Sequence, residues 1–249
     1  MAGHASTPGV TVTQRLLAIV GAFDDRHRSL ALTDLARRAG LAVPTAHRLI
    51  GDLVSGGALE RRDDGRYVIG RLLWEVGLLA PVQGRLTEVA EPFLSDVYAA
   101  TLATVHLAVR DDTQVLYLQR LAGRASVPIV STVGSRLPMH CTGVGKVLLA
   151  HAPEEVRERV LQNLPRVTAR TITSRQILDT QLERIRRDGV ALTAEEMSIG
   201  ACSLAVPVVQ SSDNRVAAAI GVVVPTLKRD RQRLIGALQV AARGIGRLL

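Results

Sequence analysis

The sequence predicts an α+β fold in two parts: a small helical domain carrying a β-hairpin, then a larger domain of mixed strands and helices. Three features predict it. Between residues 32 and 70, two short helical runs joined by a tight turn precede an Asp-Gly hairpin. Between residues 104 and 224, strand-like runs joined by hairpin turns alternate with helical runs, the pattern of an antiparallel sheet with helices between its strands. Finally, 47% of the 249 residues are hydrophobic. That share is enough for packed cores, and no apolar run reaches the roughly 18 residues a membrane span needs.

In the first part, Thr11 to Phe23 reads as a helix with Leu16, Leu17, Val20 and Phe23 on one face. Thr33 reads as the N-cap of a short helix over Asp34–Ala39, and Gly40 ends it at C′. After a turn at Leu41–Val43, Pro44 suits the first position of a second helix running to about Ser55. Its apolar residues Ala46, Leu49, Ile50, Leu53 and Val54 share one face, which leaves Thr45, His47, Arg48 and Asp52 outward. Asp64-Gly65 then turns a hairpin between Leu59 and Gly70, and a further helix begins at Arg71. Its residues Leu72, Leu73, Val76 and Leu79 form an apolar stripe beside Trp74. One short helix cannot hide such a stripe alone, so a dimer joined there is expected. The domains are therefore drawn as 1–70, a linker helix over 71–81, and 82–249.

Past Pro81 a helix runs to about Ala100. Strands are expected at Thr104–Val109, Gln114–Leu121, Ser126–Ser131, Ser203–Val209 and Val216–Val224, with turns at Asp111-Asp112 and Ser211–Asn214. Helices are expected at Gly143–His151, Glu154–Asn163, Ser174–Asp188 and Leu227–Leu249. The basic cluster Lys228–Arg233 opens the last of these, the wrong end for cations in the helix dipole, and reads as a solvated face or an interface.

Composition narrows the function. Two cysteines, Cys141 and Cys202, cannot build a disulfide framework, and Met1–Val10 lacks the basic and apolar regions of a secretory signal, so a cytoplasmic protein is expected. Six aromatic residues are too few for a stacking platform of the kind single-stranded nucleic acids require. The net charge of +8 invites a polyanion, but residues 1–80 hold 10 arginines against 8 acidic residues. Any DNA contact there must come from placement rather than bulk charge.

The placement is that of a winged helix-turn-helix. Ala36 is small where two helices would cross, Gly40 supplies the positive φ of the turn, and Leu49 packs back across the crossing. The outward face of the second helix then reads the major groove of double-stranded DNA. Pro44 and Thr45 lie at its phosphate-binding start, and His47 and Arg48 are within reach of base edges. Arg61, Arg62 and Arg66 flank the hairpin tip and can hold backbone or minor groove. The competing reading is a winged-helix module that docks proteins.

Three further features bear on chemistry. Thr142-Gly-Val-Gly-Lys146 opens a helix whose start favours an anion such as a carboxylate. It is not a phosphate-binding loop of the ATPase kind, because His140 and Val147 stand where glycine and serine or threonine would be needed. His106, His140, Cys141 and Cys202 have no metal-ligand spacing, so neither metal nor cofactor is expected. A lowered thiolate pKa at Cys141, making it a redox sensor, is weighed against core packing, which is preferred. An enzyme acting on a small acid at residues 142–146 is the alternative, but no nucleophile or acid/base set is assembled and no catalytic residue is expected.

Several stretches in order resemble the isocitrate-lyase-regulator (IclR) family of bacterial transcription factors. They are Leu32–Leu41, Pro44–Leu49, Gly65–Gly70, Gly134–Ala150, Glu195-Glu196 with Gly200–Pro207, and Ala217–Pro225. The resemblance covers about Val12 to Leu249. It implies a GAF-like C-terminal effector-binding domain, dimers often paired into tetramers, a palindromic operator and a small organic acid as effector, most simply in a repressor. The family's small-oxoacid pockets imply effector contacts at Thr142, Gly143, Val144, Ala194, Ser203, Gly221 and Val223, and the ligand's body is expected against Leu137, Met139, Ala194 and Val223. Here Ala194 replaces an acidic residue, Ser203 a cysteine, and Gly221 and Val223 two serines. Most of these changes remove a polar partner, so a larger acid or ester with an apolar body, such as an aromatic one, is expected instead of glyoxylate.

Overall fold

The computed structural model describes residues 10–24, 27–79, 84–122, 127, 130–228 and 230–249. The chain divides into two compact units, Met1–Pro81 and Val82–Leu249.

The first unit begins with α1 (Val12–Val20), opened by a capping box in which Thr11 and Gln14 bond each other's backbone. Its buried residue is Ile19, whereas Leu17 is largely exposed, so the inward face is rotated from the expected one. The helix also ends earlier than expected, at Gly21. Ala22 and Phe23 reach the core from a turn rather than from a continued helix. Next, α2 (Leu32–Arg38) is capped at Ala31 without a side-chain bond, so Thr33 lies inside the helix and is not its cap. Backbone bonds between Leu30 and Tyr67 pin the preceding residue in an isolated bridge, and the helix starts as soon as that pairing ends. Gly40, at φ +65°, makes the turn into α3 (Val43–Ser55). Ala36, Ala46, Leu49 and Ile50 are buried between the two helices and the hairpin. That hairpin pairs β1 (Leu59–Arg61) with β2 (Tyr67–Ile69), and Gly65 at φ +78° closes its tip. The final element, α4 (Arg71–Leu78), has no buried residue: Leu72, Trp74, Val76 and Leu78 are exposed, as is Leu79 beyond its end. Pro81, the expected end of the linker, lies outside the described residues.

Among the described residues, the second unit is one antiparallel sheet of six strands with helices on both faces. The strands are β3 (Thr104–Asp111), β4 (Gln114–Leu121), β5 (Arg136–Pro138), β6 (Ala191–Ala194), β7 (Cys202–Val209) and β8 (Val216–Val224). Their order is β5-β4-β3-β8-β7-β6. Helices α5 (Arg85–Thr101) and α9 (Arg231–Leu248) cover one face through Leu94, Val97, Leu238 and Ile245. Helices α6 (Gly143–Ala150), α7 (Glu154–Leu161) and α8 (Arg175–Asp188) cover the other through Val147, Leu149, Leu161 and Leu182. Alternation along β3 sorts its side chains: Val105 and Leu107 go to the α5/α9 face, Ala108 to the α6 face. Of the expected strand at Ser126–Ser131, residues 126, 128 and 129 lie outside the described residues, and Val127, Val130 and Ser131 are not in a strand. The last helix starts at Arg231, so Lys228 precedes it, and Asp230 pairs with Arg233 at 3.6 Å.

Candidate functional site

Two sites emerge, one in each unit. In the first, α3 starts at Val43 with Pro44 in its first turn. Pro44, His47 and Arg48 are exposed and Thr45 is half-buried. Arg48 has only a 3.4 Å contact with Asp52 one turn on, a long and solvated pair that holds the guanidinium weakly. On the hairpin, Arg62 N–H donates to the Arg66 carbonyl at 2.8 Å across the tip. The Arg61 guanidinium lies 5.9 Å from the Tyr67 ring centre, and Arg66 Nη1 donates to the Ser29 carbonyl at 3.2 Å. An exposed helix start and an arginine-flanked hairpin therefore project from one small core, the arrangement a groove-reading winged helix needs.

The second site is a pocket of about 50 Å³, partly open to solvent, between the sheet and the start of α6. Side chains on the α6 face of adjacent strands build its floor. Thr193, Ser203 and Val223 are successive partners across β6, β7 and β8, and in the next row Gly221 pairs with His106 on β3. A register shift beside Leu107 sets Ala108 opposite Tyr117, which brings the Tyr117 ring onto the same face as His106. The two rings meet edge to face, 5.0 Å between centroids. Leu137 and Val144 add apolar wall, Leu204 and Val222 border it by backbone because their side chains turn to the α5/α9 face, and Met197, Ser198 and Ala201 close one side.

Helix α6 presses hard against this floor. A Cβ on Gly143 would lie 2.6 Å from Ser203 Oγ, and one on Gly221 would lie 3.0 Å from a Val144 methyl. Gly221 is therefore the residue that lets α6 approach, not merely a missing polar partner. The helix start is already engaged: Gly143 N–H donates to Ser203 Oγ at 3.1 Å, and Gly145 N–H to the Thr142 cap at 3.2 Å. Ser203 Oγ also pairs with Thr193 Oγ1 at 2.6 Å.

Of the expected effector contacts, Leu137, Thr142, Gly143, Val144, Ser203, Gly221 and Val223 line the pocket. Two do not. Met139 is fully buried in a single 3₁₀ turn (Met139–Cys141) and packs into the core beneath α6. Ala194 is exposed, because strand alternation turns its neighbour Thr193 into the pocket instead. The sequence reading missed His106, Tyr117, Ser131 and Thr193. His106 Nε2 bonds Ser131 Oγ at 2.8 Å, and both residues are buried. Burial, reinforced by the charge of Arg120, pulls the His106 pKa from 6.5 to about 3, so the ring is neutral near pH 7. Burial also raises the Tyr117 hydroxyl above its ordinary range, against a hydrogen bond with Thr142.

The loop after β6 is clamped to α6. Lys146 is fully buried, and its Nζ lies 2.7 and 2.8 Å from the Glu196 carboxylate oxygens and 2.8 Å from Gln181 Oε1. Burial lowers the Lys146 pKa and raises that of Glu196, each opposed by the charge of the other. Thr171 Oγ1 donates to the Glu196 carbonyl and Thr168 Oγ1 to the Glu195 carbonyl, both at 2.7 Å. Only spatial pairing reveals this clamp, since Lys146 and Glu196 are far apart in sequence. Cys141 does not carry a lowered thiolate pKa. Burial, and then Glu196, push the thiol up to about 12, and its sulfur packs 3.6 Å from that of Met197. Among the described residues no cluster of three or more potential metal ligands occurs, and no helix is long and apolar enough to cross a membrane.

Comparison with known proteins identifies both units. Residues 12–63 match the IclR helix-turn-helix domain, and residues 82–247 the bacterial transcriptional regulator IclR C-terminal domain. The regulator XynR of Escherichia coli is 29% identical over 97% of this chain and 98% of its own length. The p-hydroxybenzoate hydroxylase transcriptional activator of Acinetobacter baylyi is 30% identical over 81% of this chain and 77% of its own. An IclR homologue from Microbacterium hydrocarbonoxydans, solved with 4-hydroxybenzoate, superposes with a TM-score of 0.89 at 34% identity, covering 95% of this chain and 98% of that one. Two domain matches in order, with relatives aligned over most of their length, leave one assignment: the chain belongs to the IclR family of DNA-binding, non-enzymatic transcription regulators.

Proposed function

We propose that this regulator binds a palindromic operator as a dimer, and that a small organic acid with an apolar body, held in the pocket of the second unit, controls that binding. The pocket carries the reading. It opens at the start of α6, where backbone donors and the helix dipole favour a carboxylate, and Leu137, Val144 and Val223 offer apolar surface to the rest of the ligand. The acid end meets Thr142, Gly143 and Val144, displacing or bridging the Ser203 hydroxyl that now accepts from Gly143. The solved relative with 4-hydroxybenzoate supports an aromatic body. Pro44, Thr45, His47 and Arg48 read the major groove, while Arg61, Arg62 and Arg66 hold the flanking backbone or minor groove.

The exposed apolar residues of α4, from Leu72 through Trp74 and Val76 to Leu79, supply the dimer contact, with the half-buried Leu73 beside them. Two reading helices then sit about one DNA turn apart, roughly 34 Å, and a pairing of dimers extends the same design. The protein acts in the cytoplasm, where its operator is, and the proposed sign is repression. A mobility shift with the DNA upstream of its own gene, with and without benzoates and short oxoacids, tests the reading. Aromatic acids should change the shift, whereas glyoxylate and pyruvate should not. A shift that responds to glyoxylate alone would refute the apolar-bodied acid. A reporter silenced, instead of raised, by deletion of the gene would assign activation, the role for which the Acinetobacter relative is named.

A further inference from the structure

The segment that closes one side of the pocket is held in place from beneath. Residues 195–201 join β6 to β7, and Met197, Ser198 and Ala201 among them face the cavity. Glu195 has φ +59°, in the left-handed region that side chains other than glycine rarely adopt. A residue stays there only where surrounding contacts over-determine it. Those contacts are the Thr168 and Thr171 hydroxyls on the Glu195 and Glu196 carbonyls, Gly200 N–H on Glu195 Oε1 at 2.8 Å, and Lys146 on the Glu196 carboxylate. Met197 is seated in turn on Cys141, which is fully buried.

The ion pair contributes direction more than stability. Taking two charges out of water costs about what their attraction returns, so apolar side chains of similar size would hold the same core together. They would not fix where the loop sits against the helix. Three acceptor oxygens surround the Lys146 ammonium, two from Glu196 and one from Gln181 on α8, one for each of its donors. Lys146 lies one turn into α6, its N–H bonded to the Thr142 carbonyl at 2.9 Å, and Glu196 immediately precedes Met197. The pair therefore ties the helix start, where the acid end is placed, to the wall at Met197.

Resting on the acid-binding reading above, we infer that Lys146 and Glu196 are positioning residues for the ligand: their ion pair sets the gap between the α6 start and the Met197 wall, and with it the affinity for an acid that touches both. The test replaces the pair by apolar side chains of similar size, Lys146→Met with Glu196→Leu, in the full-length protein, with melting curves confirming the fold. Calorimetry uses the tightest binder among benzoate, phenylacetate and isovalerate as the probe. The double variant should bind it about tenfold more weakly than the unaltered protein. Met197→Ala, made in each background, separates positioning from general loosening. It should weaken binding in the unaltered protein and add nothing in the double variant, where the wall has already moved. A third measurement needs no ligand. On a Cys202→Ser background Cys141 is the single thiol, and a disulfide reagent should reach it about tenfold faster once the pair is replaced. Unchanged acid binding in the double variant, an equal effect of Met197→Ala in both backgrounds, or an unchanged Cys141 rate would each overturn the positioning role and leave the acid-binding reading intact. If the double variant does not melt cooperatively, Glu196→Gln, which keeps one acceptor oxygen for Lys146 without the charge, is judged by the same three measurements. Failure of all three acids to bind the unaltered protein would overturn both readings.

Discussion

His106 should make the second unit acid-sensitive, and the size of the effect follows from its position. The ring is buried on β3, and its folded-state pKa of about 3 lies well below the 6.5 of the unfolded chain. Between those values the unfolded chain binds a proton that the folded chain does not, so stability falls as pH drops through 6.5 toward 3. The slope is about 1.4 kcal/mol per pH unit, so lowering the pH from 7.5 to 5 should remove about 2 kcal/mol through His106 alone. Burial also lowers the pKa values of His140 and His151, which contribute in the same direction. A comparison with His106→Gln subtracts them. Urea unfolding followed by circular dichroism at the two pH values is the assay, with Trp74 fluorescence reporting the separate N-terminal unit. With an m-value near 2 kcal/mol/M, His106 should account for roughly 1 M of the acid-induced fall in midpoint. If His106→Gln loses as much stability between pH 7.5 and 5 as the unaltered protein, the ring is not held neutral by burial, and the argument fails.

Glu196→Ala should destabilise the second unit by about 3–5 kcal/mol, because it leaves the Lys146 charge buried with Gln181 as its partner, whereas Lys146→Met combined with Glu196→Leu should recover most of the loss. Thermal melts of the three proteins check this, and a single variant as stable as the double would show that the pair is not coupled. Arg48→Ala should leave the fold intact and cost about 1–3 kcal/mol of discrimination between matched and mismatched operators, measured by quantitative footprinting. Unchanged discrimination would remove Arg48 from the base-reading set. Gly143→Val should abolish the response to acids while sparing DNA binding, since even a Cβ there would meet Ser203 Oγ at 2.6 Å. A mobility shift still sensitive to acid would contradict it.

The sequence made local periodicity legible and long-range pairing much less so. The buried stripe of α3 follows from a 3.6-residue repeat, and the hairpin tip from Asp64-Gly65, because one short stretch of chain determines each. The bounds of β4 and β8 were readable for the same reason. By contrast β6 is a four-residue edge strand. Gly189 in the left-handed region marks the end of α8, but Ala191–Ala194 alternates too briefly to declare itself a strand. The effector positions failed by one residue at Ala194, and in a strand one residue is the difference between pocket and solvent. His106, Ser131 and Thr193 come from three separate elements, and only the register of β3 with β8 and of β6 with β7 brings them to one cavity.

How these groups pair also shapes what the pocket can recognise. Gly143 N–H bonds Ser203, Ser203 bonds Thr193, His106 bonds Ser131, and Thr142 bonds Gly145 and Pro138. A ligand that enters among them exchanges existing hydrogen bonds for new ones, and such an exchange contributes only about 1 kcal/mol per bond. Affinity must therefore come mainly from apolar surface buried against Leu137, Val144, Tyr117 and Val223, at about 25 cal/mol per Å². The polar groups act by penalty: a ligand that opens one pair without replacing it leaves a buried donor or acceptor unsatisfied, at a cost of about 1–3 kcal/mol. A short oxoacid bears the penalty at the α6 start with little apolar surface to offset it. An acid with an apolar body offsets it by burying that body, so the same geometry that weakens small acids favours larger ones.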